Sequence, residues 1–207
     1  MIHDALNLDG KVETLKSYYA NWAENYDRDV AEEAYTGPRF SSTLFRAVRS
    51  RLTFAKPWKF MDAGCGTGLV GVELAHLGYE AIDGFDLSAD MVQIAQKLSL
   101  YKTLKSNIDL TQPITEFPNK AYHVTFCTGV FTLAHVPPSA MQQLIDLTVK
   151  DGIIITSTRT SYYEEYGWES AVNDFIAQNQ IKLIGKIWNA PYTKDGNAHY
   201  WAHQVLQ

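Results

Sequence analysis

Cysteine, long apolar runs and clustered basic residues are all scarce in this sequence. Its 207 residues include two cysteines, Cys65 and Cys127, whose spacing fits no zinc site. Both lie in apolar segments, where a small buried thiol is the ordinary expectation. No apolar run approaches the roughly 20 residues of a membrane-spanning helix, and residues 1–5 lack the basic and apolar regions of a signal peptide. We therefore expect a reduced, cytoplasmic protein that has no membrane contact and holds no metal.

The charge balance argues against a polyanionic partner. Lys and Arg total 18 and Asp and Glu total 23, which gives a formal net charge of -5 at pH 7. Nucleic acids and anionic membranes favour basic patches, and the basic residues here form no run. Hydrophobic residues make up 46% of the chain, enough for a full core at this length. The sequence predicts one domain over residues 1–207 that binds neither nucleic acid nor membrane.

Helical patterns fill the first quarter of the chain, and strands alternate with helices after it. Apolar residues recur at helical spacing over residues 11–27 and, beyond the break at Gly37-Pro38, over residues 39–53. Strands alternating with helices predict an α/β fold with a doubly wound, mostly parallel sheet. The last two strand-like segments are separated by a short loop, which suits an antiparallel hairpin. The predicted strands are 58–62, 80–86, 101–106, 124–127, 153–156, 181–189 and 198–206, and the later predicted helices are 68–77, one capped by Ser88, one from 138 to about 150, and 168–178.

A glycine-rich segment after the first predicted strand is the most informative part of the chain. Residues 60–71 are Phe-Met-Asp-Ala-Gly-Cys-Gly-Thr-Gly-Leu-Val-Gly, and an acid, Asp86, ends the next apolar run. Alternating glycines have an entropic cost that a turn without a ligand would not offset. Glycines that let the backbone approach, followed by an acid that accepts from a ribose, are typical of a nucleotide-type site. We therefore expect a ligand across the carboxyl edge of the parallel sheet.

Two templates fit this segment. From Gly66 it matches G-x-G-x-x-G, the dinucleotide pattern, and Asp86 lies about 20 residues further on. From Asp62 it matches D-x-G-x-G-x-G, the first motif of class I S-adenosylmethionine (AdoMet) methyltransferases. The dinucleotide template places Asp62 and Gly64 inside a buried parallel strand, which should be almost continuously apolar. The second template ends the strand near Met61 or Asp62 and leaves the carboxylate facing the ligand's ammonium group, so we favour it.

Together with three further segments, this motif makes the chain resemble a class I AdoMet-dependent methyltransferase over about residues 18–206. The three segments are residues 18–27, 83–91 and 129–138. More narrowly, the chain is similar to the methyltransferase-like group that includes the protein from the Williams-Beuren syndrome region. The resemblance implies a Rossmann-like, seven-stranded sheet with an antiparallel last strand and N-terminal helices. It also implies AdoMet as the cofactor and methyl transfer as the activity.

The resemblance assigns the parts of the cofactor to residues of this sequence. Asp86 would bind the ribose hydroxyls, and Leu87 and Met91 would flank the adenine. Asp109, the acid after the third predicted strand, would accept from the adenine amino group, with Leu110 beside it. The residues implied for the methionine part are Asp62, Ala63, Gly64, Cys65, Gly66, Thr128 and Gly129.

The aromatic face of the first helix has two interpretations. A sulfonium cation favours nearby aromatic rings, so Tyr19, Trp22 and Tyr26 could cover the cofactor. Residues 1–55 would then be a helical lid on an α/β core at residues 56–207. The same aromatic residues could instead be the core face of an amphipathic helix. The spacing is compatible with both.

Three residues are candidates for a catalytic role. His135 could be a general base at neutral pH, or it could cap or pack the helix that starts near Pro138. Arg159 follows the fifth predicted strand, at the edge where substrates bind, and could hold an acidic substrate or be solvated. Tyr26, on the covering helix, is the third candidate.

The acceptor class is inferred from motifs that are missing. The chain has no Asn-Pro-Pro-Tyr or Asp-Pro-Pro-Tyr motif for exocyclic amines of nucleic acids and no Pro-Cys nucleophile for C5 chemistry. A small molecule with an N, O or S nucleophile is therefore the leading substrate, and a protein side chain is second. An NAD(P)-dependent oxidoreductase and a non-enzymatic AdoMet-binding protein remain alternatives. We expect a monomer or a weak homo-oligomer.

Overall fold

The structure is a computed structural model that describes residue 8 and residues 11–207. The expectation that residues 1–5 form no signal peptide lies outside these residues, as does the beginning of the predicted lid. Two helices precede the first strand, α1 (Val12–Glu32) and α2 (Gly37–Val48), and a 3-10 turn (Arg49–Arg51) follows α2. No helix in the described part of the chain combines the length and apolar character of a membrane span.

Seven strands of the described chain form a single sheet. They are β1 (Phe60–Ala63), β2 (Ile82–Asp86), β3 (Thr103–Ser106), β4 (Tyr122–Phe131), β5 (Thr148–Arg159), β6 (Ile181–Thr193) and β7 (Gly196–Val205). The strand order is β3-β2-β1-β4-β5-β7-β6. Strands β1 to β5 pair in parallel, and β7 is antiparallel to both β5 and β6. The predicted architecture, with its antiparallel last strand and terminal hairpin, is confirmed.

Alternation along the strands divides the core into two layers, one on each face of the sheet. The flanking helices are α3 (Leu69–His76), α4 (Ala89–Lys97), α5 (Met141–Leu147), α6 (Thr160–Tyr166) and α7 (Trp168–Ala177). Phe60 and Ile155 pack in the layer with α2 and α3, whereas Met61 and Ile154 pack in the layer with α5, α6 and α7. Side chains two apart on a strand share a face. Asp62 is therefore directed to the α2–α3 layer, as Phe60 is.

Two segments differ from the predicted pattern. The helix predicted from 138 to about 150 is a 3-10 turn (Pro138–Ala140) followed by the short α5, and β5 begins at Thr148. The Thr148 hydroxyl donates to the carbonyl of Leu144 at 2.7 Å. This hydrogen bond satisfies a carbonyl in the last turn of α5, and β5 begins at the same threonine. Helix α6 matched no predicted element, because Tyr162 is its only buried residue and it has no apolar period.

A buried histidine on β7 should make the fold sensitive to acid. His203 is 2% exposed, and its Nδ1 has no hydrogen-bond partner in the described chain. Burial lowers the pKa of His203 to about 4. The unfolded chain takes up this proton near pH 6.5, so the contribution to stability is complete above that pH and is lost as the pH falls toward 4.

We expect His203→Phe to reduce the loss of unfolding free energy between about pH 7 and pH 4.5 by about 2 kcal/mol. Urea unfolding curves at the two pH values measure this difference. His76→Gln, at an exposed position on α3, is the matched control. If both variants lose as much stability as the wild type, the assignment to His203 is wrong.

Candidate active site

A pocket of about 980 Å³, open solvent included, lies at the carboxyl edge of the parallel strands beneath α1. Gly64 and Gly66 reach it from the end of β1, Asp86 from β2, Asp109 from the loop after β3, and Gly129 from β4. This edge is where open α/β sheets bind their ligands. The complete lining is Val12, Leu15, Tyr19, Tyr26, Gly64, Gly66, Phe85, Asp86, Leu87, Met91, Ile108, Asp109, Leu110, Thr111, Thr128, Gly129, Val130, His135 and Val136.

The loop after β1 is held so that its backbone lines this pocket. The amides of Gly64 and Cys65 both donate to the carbonyl of Phe85 at 2.9 Å, which fastens the loop to the end of β2. Gly66 has a φ of +51°, and a Cβ there would meet no atom within 4 Å. A Cβ at Gly64, where φ is +73°, would collide with Val130. These two glycines supply a backbone conformation and a close approach that other residues would disturb.

Asp86 is oriented by the same loop. Its Oδ2 accepts from the amide of Gly66 and its Oδ1 from the amide of Ser88, both at 2.8 Å. Burial raises the pKa of the Asp86 carboxyl, and the neighbouring backbone amides partly offset this shift. Each carboxylate oxygen can accept more than one hydrogen bond. The side chain is thus fixed in place and still able to accept from two hydroxyl groups.

The part of the pocket beyond Asp86 suits a flat apolar ring with a polar edge. Its apolar residues are Leu87, Met91, Ile108 and Leu110. The Oδ1 of Asp109 accepts from the amide and the hydroxyl of Thr111, at 2.8 and 2.7 Å. Because both bonds use Oδ1, the Oδ2 of Asp109 is available to accept from an amino group on a bound ring.

The sequence predicted that the Asp62 carboxylate would face the ligand at the carboxyl edge of the sheet, and the structure shows that it does not. Strand β1 continues through Ala63, and the Asp62 carboxylate is fully buried. Its Oδ2 accepts from the hydroxyl of Tyr101 at 2.6 Å, and Tyr101 packs against the α2–α3 layer. The Oδ1 has no hydrogen-bond partner in the described chain. Burial raises the pKa of Asp62 to about 7.

The other candidate residues fall into three groups by location. The first group lines the large pocket and comprises Tyr19, Tyr26, Gly64, Gly66, Asp86, Leu87, Met91, Asp109, Leu110, Thr128, Gly129 and His135. Ala63 and Cys65, like Asp62, are buried outside its lining. Trp22 and Arg159 line a second pocket beside it.

Two serines that no sequence motif marked fix the β4 side of the large pocket. The hydroxyl of Thr128 donates to Ser41 Oγ in α2 at 2.8 Å. The amide of Gly129, where φ is +81°, donates to Ser157 Oγ in β5 at 2.9 Å. These partners lie far apart in sequence from β4, so spacing alone could not reveal them.

Helix α1 is tied to the site by side-chain hydrogen bonds at two points. The hydroxyl of Thr67, in the glycine loop, donates to Asp27 at 2.6 Å. The hydroxyl of Tyr19 lies 2.7 Å from Nε2 of His135. Among the helices and strands, α4 is the main packing partner of α1. The helix is therefore supported by α4 and by the site, with little direct packing on the sheet.

His135 is arranged as a neutral hydrogen-bond acceptor. Its Nδ1 lies 2.7 Å from the carbonyl of Leu133, which assigns the ring proton to Nδ1. The Nε2 atom is then free to accept from the hydroxyl of Tyr19. Burial lowers the pKa of His135, so the neutral ring is the form present at pH 7. Tyr19 and His135 thus form a hydrogen-bonded pair at the wall of the large pocket, in which the tyrosine hydroxyl donates to a neutral ring nitrogen.

A second pocket, of about 400 Å³ with open solvent included, adjoins the first. The pockets share Tyr19, Tyr26, Gly129 and His135, and the second is completed by Trp22, Val30, Tyr35, Thr132, Arg159 and Tyr192. Tyr35 and Tyr192 pack edge to face with ring centroids 4.9 Å apart. Both tyrosines were absent from the sequence-based site, because neither belongs to a recognisable motif.

His199 on β7 is occupied by a backbone hydrogen bond and by aromatic packing, since its Nδ1 accepts from the amide of Asn189 at 2.9 Å. His199 stacks on Trp188 with ring centroids 3.8 Å apart. Across residue 8 and residues 11–207, no group of three or more His, Cys, Asp or Glu side chains is placed to hold a metal ion.

The raised pKa of Asp62 leads to a test of stability against pH. The folded state binds a proton between the unfolded pKa of about 3.9 and about 7, so this group makes the protein less stable as the pH rises through that window. Asp62→Asn removes the charge and keeps an acceptor for Tyr101. It should raise the unfolding free energy by about 2–4 kcal/mol near pH 8 and change it little near pH 4.

Denaturant unfolding of the ligand-free protein at both pH values provides the measurement. Asp90→Asn, exposed on α4, serves as the control. An equal effect of Asp62→Asn at both pH values would show that the pKa of Asp62 is not raised in the folded state.

Comparison with known proteins identifies the family of the chain. A family model described as a methyltransferase domain matches residues 55–196. Human methyltransferase-like protein 27 is 32% identical over 149 residues, which are 70% of this chain and 57% of that protein. The chain thus spans a little over half the length of this curated relative.

Solved structures share the fold at low sequence identity. A TehB-like SAM-dependent methyltransferase from Corynebacterium glutamicum has a TM-score of 0.60 at 17% identity, over 91% of this chain and 98% of that one. The magnesium protoporphyrin IX methyltransferase of Synechocystis, solved with bound S-adenosylhomocysteine (SAH), has a TM-score of 0.59 at 17% identity. The match covers 82% of this chain and 83% of that one. The [4+2]-cyclase SpnF has a TM-score of 0.65 at 12% identity, over 95% of this chain and 97% of that one. Since the family model covers most of the sequence, this chain belongs to the methyltransferase domain family, and it has the fold of the solved SAM-dependent methyltransferases.

Proposed function

We propose that this protein binds AdoMet in the large pocket and transfers its methyl group to the nitrogen, oxygen or sulfur of a small molecule in the second pocket. The observation that carries the proposal is the convergence of the glycine loop and the anchored Asp86 on one pocket that shares a wall with another. The second pocket is lined by Trp22, Tyr35, Arg159 and Tyr192 beside that shared wall, so a small acceptor there would lie next to the cofactor. Membership of the methyltransferase family favours AdoMet over a nicotinamide cofactor.

The residues of the large pocket fit AdoMet in their chemistry. Asp86 would accept from the ribose hydroxyls, and Asp109 would accept from the adenine amino group between the apolar walls. Gly64 and Gly66 leave room for the methionine part.

The protein's main contributions would be position and exclusion of water. AdoMet supplies a methyl group that its sulfonium cation already activates, so little further activation is needed. Tyr19 and Tyr26 line both pockets, and aromatic faces attract a nearby cation. Gly129 and His135 belong to the same shared wall, which is where donor and acceptor would meet.

His135 and Tyr19 offer a route for a proton released by the acceptor. A nucleophile that donates to the Tyr19 oxygen could pass its proton there while Tyr19 passes its own to Nε2 of His135. Nδ1 would keep its proton on the carbonyl of Leu133. Because burial lowers the pKa of His135, the ring is in the accepting form at neutral pH. This arrangement supports a proton-accepting role for the pair.

Calorimetry tests the cofactor assignment. AdoMet and SAH should bind with dissociation constants of about a micromolar or less, whereas NAD and NADP should give no signal. Asp86→Ala should weaken AdoMet binding by ~1.5–3 kcal/mol, because two ribose hydroxyls lose a charged acceptor. Asp90→Ala on α4 should bind as the wild type does. Binding of NAD without AdoMet would overturn the proposal, and a folded Asp86→Ala protein with unchanged affinity would move the ribose site elsewhere.

Incubation with isotope-labelled AdoMet and a metabolite extract tests the transfer itself. Label should appear in a small molecule that mass spectrometry can identify. Tight AdoMet binding with no labelled product would favour a non-enzymatic AdoMet-binding protein. Label on protein side chains would favour the second substrate class.

Hydrogen exchange tests whether α1 acts as a lid. Val12, Leu15, Tyr19 and Tyr26 line the large pocket, so a ligand there should order the helix that contacts it. Amide exchange over residues 11–30 should slow when AdoMet is added, with α7 as the internal control. Deletion of residues 1–28 should weaken AdoMet binding and leave a folded α/β core. Equally slow exchange without ligand, together with an insoluble truncation, would make α1 ordinary core.

A further inference from the structure

Arg159 is the one cation in the linings of the two pockets, as far as the described residues define them. It is the last residue of β5 and pairs with Ala198 of β7. Its guanidinium carbon lies 5.3 Å from the centroid of the Tyr192 ring. A Cβ at Gly196 would come within 2.9 Å of its Nη2, so a glycine there leaves room for the side chain. Tyr192 and Gly196 thus hold the guanidinium at the wall of the second pocket.

The guanidinium has no acidic partner in the described chain. Arg159 is half-buried, and its side chain forms no ion pair or hydrogen bond with residue 8 or residues 11–207. The carboxylates of the site, Asp86 and Asp109, line the large pocket and not the second. A partly desolvated guanidinium without a partner is costly, and its planar fork of donors matches a carboxylate or a phosphate.

The remaining walls of the second pocket are aromatic. Trp22 is 1% exposed, and Tyr35 and Tyr192 pack edge to face beside Arg159. Such walls accept the apolar or flat body of a small molecule. The shared wall with Tyr19 and His135 lies in the same pocket, so one ligand could meet both Arg159 and the His135–Tyr19 pair.

We propose that the methyl acceptor is a small organic acid whose carboxylate or phosphate group is bound by Arg159 in the second pocket. This inference rests on the proposed function and adds the chemical class of the substrate. The acid group is held by the guanidinium, the body lies among Trp22, Tyr35 and Tyr192, and the nucleophilic atom is directed to the wall that both pockets share. Arg159 therefore determines specificity by charge in a chain whose overall charge is negative.

Matched pairs of small acids and their neutral analogues test the proposal on the wild-type protein. The probes are indole-3-acetate with indole-3-acetamide, salicylate with salicylamide, and phenyl phosphate with phenol, each added with saturating SAH. Thermal shift and calorimetry should detect binding of at least one acid, and its neutral analogue should bind at least about tenfold more weakly. The phosphate pair distinguishes the two kinds of acid group. Equal binding of an acid and its neutral analogue, or no binding by any acid, would overturn the proposal.

Variants then assign the effect to Arg159. Arg159→Gln should weaken the responding acid by at least about tenfold, and Arg159→Lys should restore part of the loss because it keeps the charge without the fork. Arg51→Gln, exposed in the 3-10 turn after α2, is the control and should bind as the wild type does.

Two outcomes separate this inference from the proposed function. If Arg159→Gln weakens SAH as much as it weakens the acid, Arg159 holds the cofactor's own carboxylate and the inference fails. If the wild type methylates a neutral acceptor with AdoMet, the proposed function stands and only the acidic substrate class is wrong. Absence of AdoMet binding would instead overturn the proposed function itself.

Discussion

The hydrogen bonds between the loop after β1 and the end of β2 support the rest of the site. Gly64 and Cys65 donate to the carbonyl of Phe85, and Gly66 donates to the Asp86 carboxylate. Because Asp86 accepts from Ser88 as well, one side chain joins the loop, β2 and the start of α4. The acid is thus a structural anchor for the loop and the candidate ribose acceptor at once. Its removal would alter the shape of the pocket in addition to removing an acceptor.

The same loop determines how the first helix sits over the pockets. Thr67 belongs to the loop and donates to Asp27 in α1, while Tyr19 contacts His135 beyond the end of β4. These contacts place the helix across the carboxyl edge, over the segments that follow β1 and β4, which are neighbouring strands in the sheet. Since most other packing of α1 is against α4, the helix depends on α4 and on the loops around the large pocket more than on the sheet.

The fold and the residues that line the large pocket could be predicted because their signals are local. Alternating strands and helices, the glycine turn and an acid at the end of β2 each occupy a short stretch of sequence, and the structure brings Gly66, Asp86, Asp109 and Gly129 to one pocket. The second pocket could not be predicted in the same way. Tyr35 and Tyr192 come from segments about 150 residues apart that meet only when β6 and β7 pair at the end of the sheet.

The misplaced Asp62 shows how a motif can be matched correctly and its geometry misjudged. The strand extends one residue further than expected, and the two-residue period then turns the carboxylate into the α2–α3 layer. There it accepts from Tyr101, for which glycines make room. A Cβ at Gly71 would lie 2.5 Å from the Tyr101 hydroxyl, and one at Gly84 would lie 2.9 Å from its ring.

Gly71, the last glycine of the glycine-rich segment 60–71, therefore accommodates a tyrosine that holds an acid, and it does not line the large pocket. The cost of this arrangement is a buried carboxylate with one oxygen unpartnered in the described chain and a pKa raised to about 7. A core built for stability alone would have no reason to place an ionisable group there. The acid of the motif therefore orders Tyr101 within the α2–α3 layer, and its carboxylate is the part of the motif with the greatest stability cost.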